Sequence, residues 1–348
     1  MSSSSITMKA FAVSEYKPIG ELDHLVEVHV PKPSAPKGHD VLVKIKAVAT
    51  NPIDYKRLGN LENHTASYEV DGPLIVGWDG AGIIEAVGDH VTLFQSGDEV
   101  MFAGDFFRPG CFAEYTLVDE RVVAKKPTSV SWSQAASLPL VTLTAWESFV
   151  DQLKISEKDA GKTVLITAGA GGVGSAAITI AKKVLNLTVI ASASRAETTK
   201  YAKARGADFV VSHHESYQGQ LKKLGFDSVD YVLHCSHLTP ELFTEFTEIV
   251  KPFGGIVSIW PSATVDLMQL FWKSINFSAE LMFTRPKTGV SIERQHEILT
   301  KVGQLVDNGD FKVAETRTWK LNAENLREVL TIQASGKAIG KMTLSFAA

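Results

Sequence analysis

Between residues 165 and 183 the chain reads LITAGAGGVGSAAITIAKK. An apolar run breaks into Gly169, Gly171, Gly172 and Gly174, and small apolar residues resume with Val173, Ala176, Ala177, Ile180, Ala181 and Val184 at helical spacing. A Gly-x-Gly-x-x-Gly turn between an apolar strand and a helix is suited to seating a pyrophosphate. The first glycine makes the tight turn, the second lets the phosphates approach the backbone, and the third lets helix and strand pack closely. The free N–H groups around Gly172 and Val173, with the positive end of the helix, then face the anion.

About twenty residues further on, a site for NAD carries an acidic residue that holds the ribose diol. Here that place reads Ala191-Ser192-Ala193-Ser194-Arg195. No carboxylate repels a 2′-phosphate, Ser192 and Ser194 can donate hydrogen bonds, and Arg195 can pair with the phosphate as a fork. The pattern favours NADPH over NADH; the competing reading of Arg195 is a solvated side chain at a helix start.

These residues need a parallel sheet to position them. From about residue 162 the sequence alternates apolar strand, turn and helix: KTVLIT, LTVIAS, DFVVS, VDYVLHCS, GGIVSIW and NFSAELMF. Strands this uniformly apolar are buried on both faces, as crossover helices require. AETTKYAKAR closes at Gly206, a helix stop signal. The first third reads instead as short β-strands. HDVLVKIKAVAT alternates Val41, Val43, Ile45 and Ala47, and glycines recur at 77, 80, 82, 88, 97 and 104. The tail, with two helices and a last strand GKMTLSF, is assigned back to the first domain. The expected class is therefore α/β in two domains. The boundaries expected are 1–134 with 286–348 for the β-rich catalytic domain and 135–285 for the doubly wound nucleotide-binding domain.

The chain has 348 residues, 45% hydrophobic and 21% charged, with a net charge of -4. That balance offers no basic stripe for nucleic acid, and no apolar run reaches membrane-spanning length. The opening MSSSSIT lacks a signal-peptide core and reads as a frayed start. Two cysteines, Cys111 and Cys235, build neither a disulfide framework nor a four-thiolate zinc lobe, so the cytoplasm is the expected compartment.

Several stretches together resemble the medium-chain dehydrogenase/reductase superfamily: NPIDYKRLG, GWDGAGIIEAVGDHVTLFQSGDEV, GCFAEYTLV, AASLPLVTLTAW and the glycine turn. The resemblance implies a GroES-like barrel as catalytic domain, a Rossmann domain, a substrate cleft where the nicotinamide lies, and a homodimer built through the sheet edge near NFSAELMF. In that family's alcohol dehydrogenases, zinc is held by Cys, His and Cys. Matched by motif, those positions are here Asn51, Trp78 and a place near Leu140, none a plausible zinc ligand set. The structural-zinc lobe is also missing, so no metal is expected. The departure resembles the zinc-independent quinone oxidoreductase branch, which includes the zeta-crystallins, and most closely its zinc-type alcohol dehydrogenase-like subgroup.

What the resemblance implies for the site is carried over position by position. Asn51 and Asp54 lie beside the nicotinamide, with Tyr55 and Lys56 as proton donors or substrate contacts, and Thr144 lies against the nicotinamide face. Asn51-Pro52 is also a turn signal, Asp54 could cap a short helix, and Lys56 could be a solvated charge. Cys235 and Trp260, at strand ends expected to reach the cofactor, and Lys341 of the last strand are counted with the cofactor-binding set. His234 and His237 around Cys235 are read as cofactor-lining or structural, not as metal ligands. Trp78, Phe107, Phe112, Trp260 and Phe283 are candidate apolar walls, with core packing as the commoner role.

Reduction of an isolated ketone concentrates charge on one oxygen, where zinc or a strong acid is useful. Hydride addition to a quinone or a conjugated enone spreads that charge, so positioning and a few hydrogen bonds suffice. The expected activity is NADPH-dependent quinone reduction. The alternatives are alkenal or enone reduction, or, from another class, an NADPH-binding crystallin-like protein with a structural or regulatory duty.

Overall fold

The computed structural model describes residues 6–15, 17, 21–58 and 72–346. The opening serine run and Gly59 of NPIDYKRLG lie outside the described residues. The chain divides into two compact units, the first comprising 1–140, 283–309 and 313–348, the second 141–282 with 310–312.

In the first unit a seven-stranded sheet is organised around the long strand Asp40–Ala49. Asp79–Val87 pairs antiparallel along one of its edges; Tyr115–Asp119 and Lys341–Ser345 share the other. The alternating Val41, Val43, Ile45 and Ala47 are buried as expected. Leu42 and Val48 on the opposite side are buried too, because both faces of this strand are covered. Register fixes what meets at its end: Ala49 lies opposite Thr343 on one side and opposite Asp79 on the other. The ladder continues as Thr50 N donates to Met342 O at 3.1 Å. Two residues past Ala49 and two before Thr343, Asn51 and Lys341 are brought together beside Asp79. A smaller sheet, Val26–Pro31, Thr7–Val13 and Leu74–Ile75, completes the β part.

The second unit is a doubly wound parallel sheet. Its spatial order is Phe209–Val211, Thr188–Ser192, Thr163–Ile166, Val229–His234, Val250–Ser258, Asn276–Ala279, every neighbouring pair parallel. The chain runs outward from Thr163–Ile166 in one direction, then returns to Val229–His234 and runs outward in the other. The order therefore reverses between those two strands, where such sheets take their ligands. Leu165, Ile190, Val232 and Ile256 from the strands pack with Phe243 and Phe246 of the helix Pro240–Ile249. Each of those phenylalanines contributes about 1.5–3 kcal/mol through its burial. Gly206 ends the helix Ala196–Arg205 at φ 115°, in the left-handed region the stop signal anticipates.

Candidate functional site

Each unit carries a group of candidate site residues. In the second, strand Thr163–Ile166 runs into the glycine turn and then the helix Gly172–Lys183, at the sheet's reversal point. Gly171 is the N-cap and has no side chain to satisfy the first turn's N–H groups, which leaves them to an anion. A Cβ on Gly174 would stand 2.3 Å from Ala168 O and 2.8 Å from Gly169 Cα, and one on Gly169 would stand 2.8 Å from Ala191 Cβ. The turn is thus drawn against both its own helix and the next strand, as the spacing requires. Ala168 adopts φ 48°. It is pinned there by Ser192, whose hydroxyl accepts from Ala168 N at 3.0 Å, while Gly169 N donates to Ser192 O at 2.9 Å. Ser192 is therefore buried beneath the turn, holding its backbone, whereas Ser194 is exposed and Arg195 half-buried. Arg195 opens its helix and its Nε lies 3.0 Å from Glu197 Oε1.

Across the reversal point the end of strand Val229–His234 is fastened to the same turn. Thr167 Oγ1 accepts from Cys235 N at 2.9 Å and lies 3.0 Å from His234 Nδ1. Burial pushes the His234 pKa down to about 4, so the ring is neutral, and its Nδ1 shares a hydrogen bond with the Thr167 hydroxyl. Burial likewise raises the Cys235 thiol, which stays protonated. Trp260 follows the strand Val250–Ser258 and is half-buried, and Thr144 is buried in the helix Pro139–Trp146. Val173 lies in the first turn of the helix Gly172–Lys183.

In the first unit Asn51, Asp54, Asp79 and Lys341 form one buried polar cluster, each at most 2% exposed. Lys341 Nζ donates to Thr50 O at 2.9 Å, to Asn51 Oδ1 at 2.7 Å and to Asp79 Oδ2 at 2.7 Å. Asn51 Nδ2 donates to Asp79 Oδ2 at 2.8 Å, and Leu140 N, in the first turn of its helix, donates to Asp79 Oδ1 at 2.7 Å. The Asp79 charge is thus answered by an ammonium, an amide and a helix start. Asn51 precedes the helix Pro52–Leu58, and Asp54 Oδ2 reaches back to accept from Asn51 N at 2.7 Å. Asp54 acts as the acidic half of a capping box instead of the N-cap itself. Burial raises its pKa to about 8 against the opposing pull of the Asn51 N–H and Lys341, so it holds a proton at neutral pH. Its Oδ1 is buried with no hydrogen-bond partner among the described residues. Tyr55 and Lys56 on the same helix are half-buried; burial raises the phenol and lowers the ammonium. Cys111 Sγ donates to Asp79 O at 3.3 Å, and burial raises its thiol.

Beside the cluster stands an aromatic group. The rings of Trp78 and Phe106 are 5.1 Å apart, Phe106 and Phe283 5.8 Å, and Phe106 and Phe107 5.3 Å. Trp78 and Phe283 are buried, Phe106 and Phe107 half-buried. Phe112 is instead pressed under Gly77, whose Cβ would lie 2.3 Å from its ring. Among the described residues, no three His, Cys, Asp or Glu side chains form a metal-binding group.

Asp79 and Thr167 are absent from the sequence-based candidates. A carboxylate inside the apolar GWDGAGII, matched by a lysine beginning the apolar KMTLS, is the signal that could have paired Asp79 with Lys341.

Comparison with known proteins agrees with this architecture. Residues 37–128 match the alcohol dehydrogenase GroES-like domain, and 172–288 match the zinc-binding dehydrogenase domain. A zinc-type alcohol dehydrogenase-like protein of Staphylococcus aureus is 38% identical over 93% of this chain and 96% of its own. The 2-methylene-furan-3-one reductase of Solanum lycopersicum is 37% identical over 97% of this chain and 79% of its own. The quinone oxidoreductase structure from Coxiella burnetii superimposes with a TM-score of 0.80 at 28% identity, covering 98% of this chain and 99% of that one. The chain belongs to the medium-chain dehydrogenase/reductase superfamily, among its zinc-type alcohol dehydrogenase-like and quinone oxidoreductase members.

Proposed function

We propose that the protein is an NADPH-dependent reductase of conjugated carbonyl acceptors, quinones in the first place, that works without zinc. The observation that carries this reading is the Lys341 ammonium, 2.7 Å from both Asn51 Oδ1 and Asp79 Oδ2, at the position where the family's first zinc ligand is expected. A fixed positive charge there repels a dication, and an amide oxygen and an indole replace the thiolate and imidazole that zinc prefers. The residues present do not fit a zinc ion.

They do fit a dinucleotide. The turn at Gly169, Gly171 and Gly174 leaves a cradle that side chains would fill, and helix N–H groups point at it. Bound NADPH supplies the hydride. The chain supplies the phosphate seat, the exposed Ser194 and half-buried Arg195 for the 2′-phosphate, and a polar cluster in which Asp54 retains a proton. The half-buried Phe106 and Phe107 give a planar acceptor an apolar surface. A quinone or enone spreads the incoming charge, which suits a site with hydrogen-bond donors in place of a metal.

The resemblance to a 2-methylene-furan-3-one reductase favours a second reading, reduction of an enone double bond. We place the protein in the cytoplasm as a homodimer, with the edge strand Asn276–Ala279 pairing between copies. NADPH oxidation followed with a naphthoquinone and with an α,β-unsaturated aldehyde, each with and without chelator, tests these readings. Turnover with the quinone, unaffected by chelator, is expected; faster turnover of the aldehyde selects the second reading. Activity lost to chelator and restored by zinc, or tight NADPH binding with neither acceptor reduced, overturns both. Arg195→Ala should raise the KM for NADPH far more than for NADH; equal effects would refute the 2′-phosphate role.

A further inference from the structure

We propose that Lys341 and Asp79 are positioning residues that lock the Asn51 carboxamide in one orientation, so that its second Nδ2 proton is the donor to the acceptor's oxygen. This rests on the reading of the protein as a reductase of conjugated carbonyls.

An ammonium can only donate and a carboxylate can only accept. Lys341 Nζ faces one end of the Asn51 amide at 2.7 Å, and Asp79 Oδ2 faces the other at 2.8 Å. The oxygen must therefore be toward Lys341 and the nitrogen toward Asp79. A flipped amide would set N–H against ammonium and oxygen against carboxylate, both within 2.8 Å. The chain on either side is fixed as well, by Thr50 O on Lys341 at 2.9 Å and by Asp54 Oδ2 on Asn51 N at 2.7 Å. Lys341 has three protons and three acceptors, and Asp79 accepts from Lys341, Asn51 and Leu140. Of the two Nδ2 protons of Asn51, one is used by Asp79, and no hydrogen bond within the described residues uses the other.

An N–H held in place without an acceptor of its own is the arrangement that stabilises charge developing on a reacting oxygen, since no reorganisation is needed at the moment of reaction. When a hydride adds to the conjugated system of a quinone or enone, the electron pair moves to the carbonyl oxygen and leaves an anion, which a proton from solvent then neutralises. Asn51 donates to that oxygen without losing its own proton. Lys341 and Asp79 act only through Asn51.

The test is a double-mutant cycle with Asn51→Ala and Lys341→Met, read as kcat for the acceptor and as the dissociation constant of NADPH. Each single substitution is expected to lower kcat about 10²- to 10³-fold, the range for loss of one such donor, with NADPH affinity little changed. The double variant should fall no further than Asn51→Ala alone. A merely structural lysine would give effects that multiply, and that result overturns the inference. Because Lys341→Met leaves Asp79 buried without its partner and can fail to fold, Lys341→Met/Asp79→Leu removes both charges together. It should show the same kcat loss, with none added by Asn51→Ala. Neutron diffraction from crystals of the unmodified protein gives an arm independent of turnover: one deuteron of Asn51 toward Asp79 and one without a chain acceptor are expected. Deuterons facing Lys341, or both bonded within the chain, overturn the locked orientation. A wild-type protein that reduces no conjugated carbonyl overturns the functional reading and the donor role with it. A protein that turns over but shows a multiplicative cycle overturns the inference alone.

Discussion

Replacing Asp54 with Asn should change how stability depends on pH, in a direction and by an amount the site dictates. The carboxyl is buried beside Asn51 N and its pKa rises from 3.8 to about 8. Between those values the folded chain binds a proton that the unfolded chain does not. The stability this group contributes is full below the unfolded pKa and is lost as pH rises through the folded one. His234 works the other way. Its pKa falls from 6.5 to about 4, so its contribution is present above 6.5 and lost on acidification. A window from about pH 6.5 to pH 8 therefore isolates Asp54 from His234. Across it, linkage with a folded pKa near 8 removes about 1.6 kcal/mol of unfolding free energy, against a ceiling of about 1.4 kcal/mol per pH unit. Asn keeps an oxygen for Asn51 N and does not titrate. Urea unfolding of both proteins at intervals through the window should show wild type losing stability relative to Asp54→Asn by about that amount. Parallel curves would mean that Asp54 is ionised throughout and that the buried site is far more polar than its neighbours indicate.

Other substitutions probe the nucleotide half. Gly174→Ala sets a methyl 2.3 Å from Ala168 O, a backbone atom that cannot move without opening the turn; a loss of about 1–3 kcal/mol in stability and weaker NADPH binding are expected by thermal unfolding and fluorescence titration. Ser192→Ala leaves Ala168 N without its hydroxyl acceptor, and should cost about 1 kcal/mol in urea unfolding while raising the dissociation constants for NADPH and NADH alike. His234→Phe removes the neutral ring that is hydrogen-bonded to Thr167; its stability loss relative to wild type should shrink as pH falls from 6.5 toward 4, which the same unfolding assay reads.

The second unit was legible because its signals are local. A glycine turn, apolar strands and a helix stop at Gly206 each depend on a few neighbouring residues, and the parallel sheet follows from their alternation. The polar cluster was legible only in part. NPID marked Asn51 and Asp54, but their meaning depends on Asp79 and Lys341, which a register match of distant strands delivers. The alternation in Asp40–Ala49 showed one buried face and missed Leu42 and Val48, since whether the opposite face is covered depends on other strands. Ser192 could be read as near the ribose, yet only the structure shows its hydroxyl turned to Ala168 N. Charge partners far apart in sequence leave no periodic trace; they show only as an acid and a base in apolar surroundings that each need an answer.

The bond from Lys341 to Asn51 spans 290 residues, and this has a bearing on biosynthesis. While the chain emerges from the ribosome, Asn51 and Asp79 are made 290 and 262 residues before their cation. Until then the sheet must keep a lone carboxylate wet or protonated, so this corner cannot dry and close. A nascent chain that stops short of residue 341 lacks the ammonium that answers Asp79.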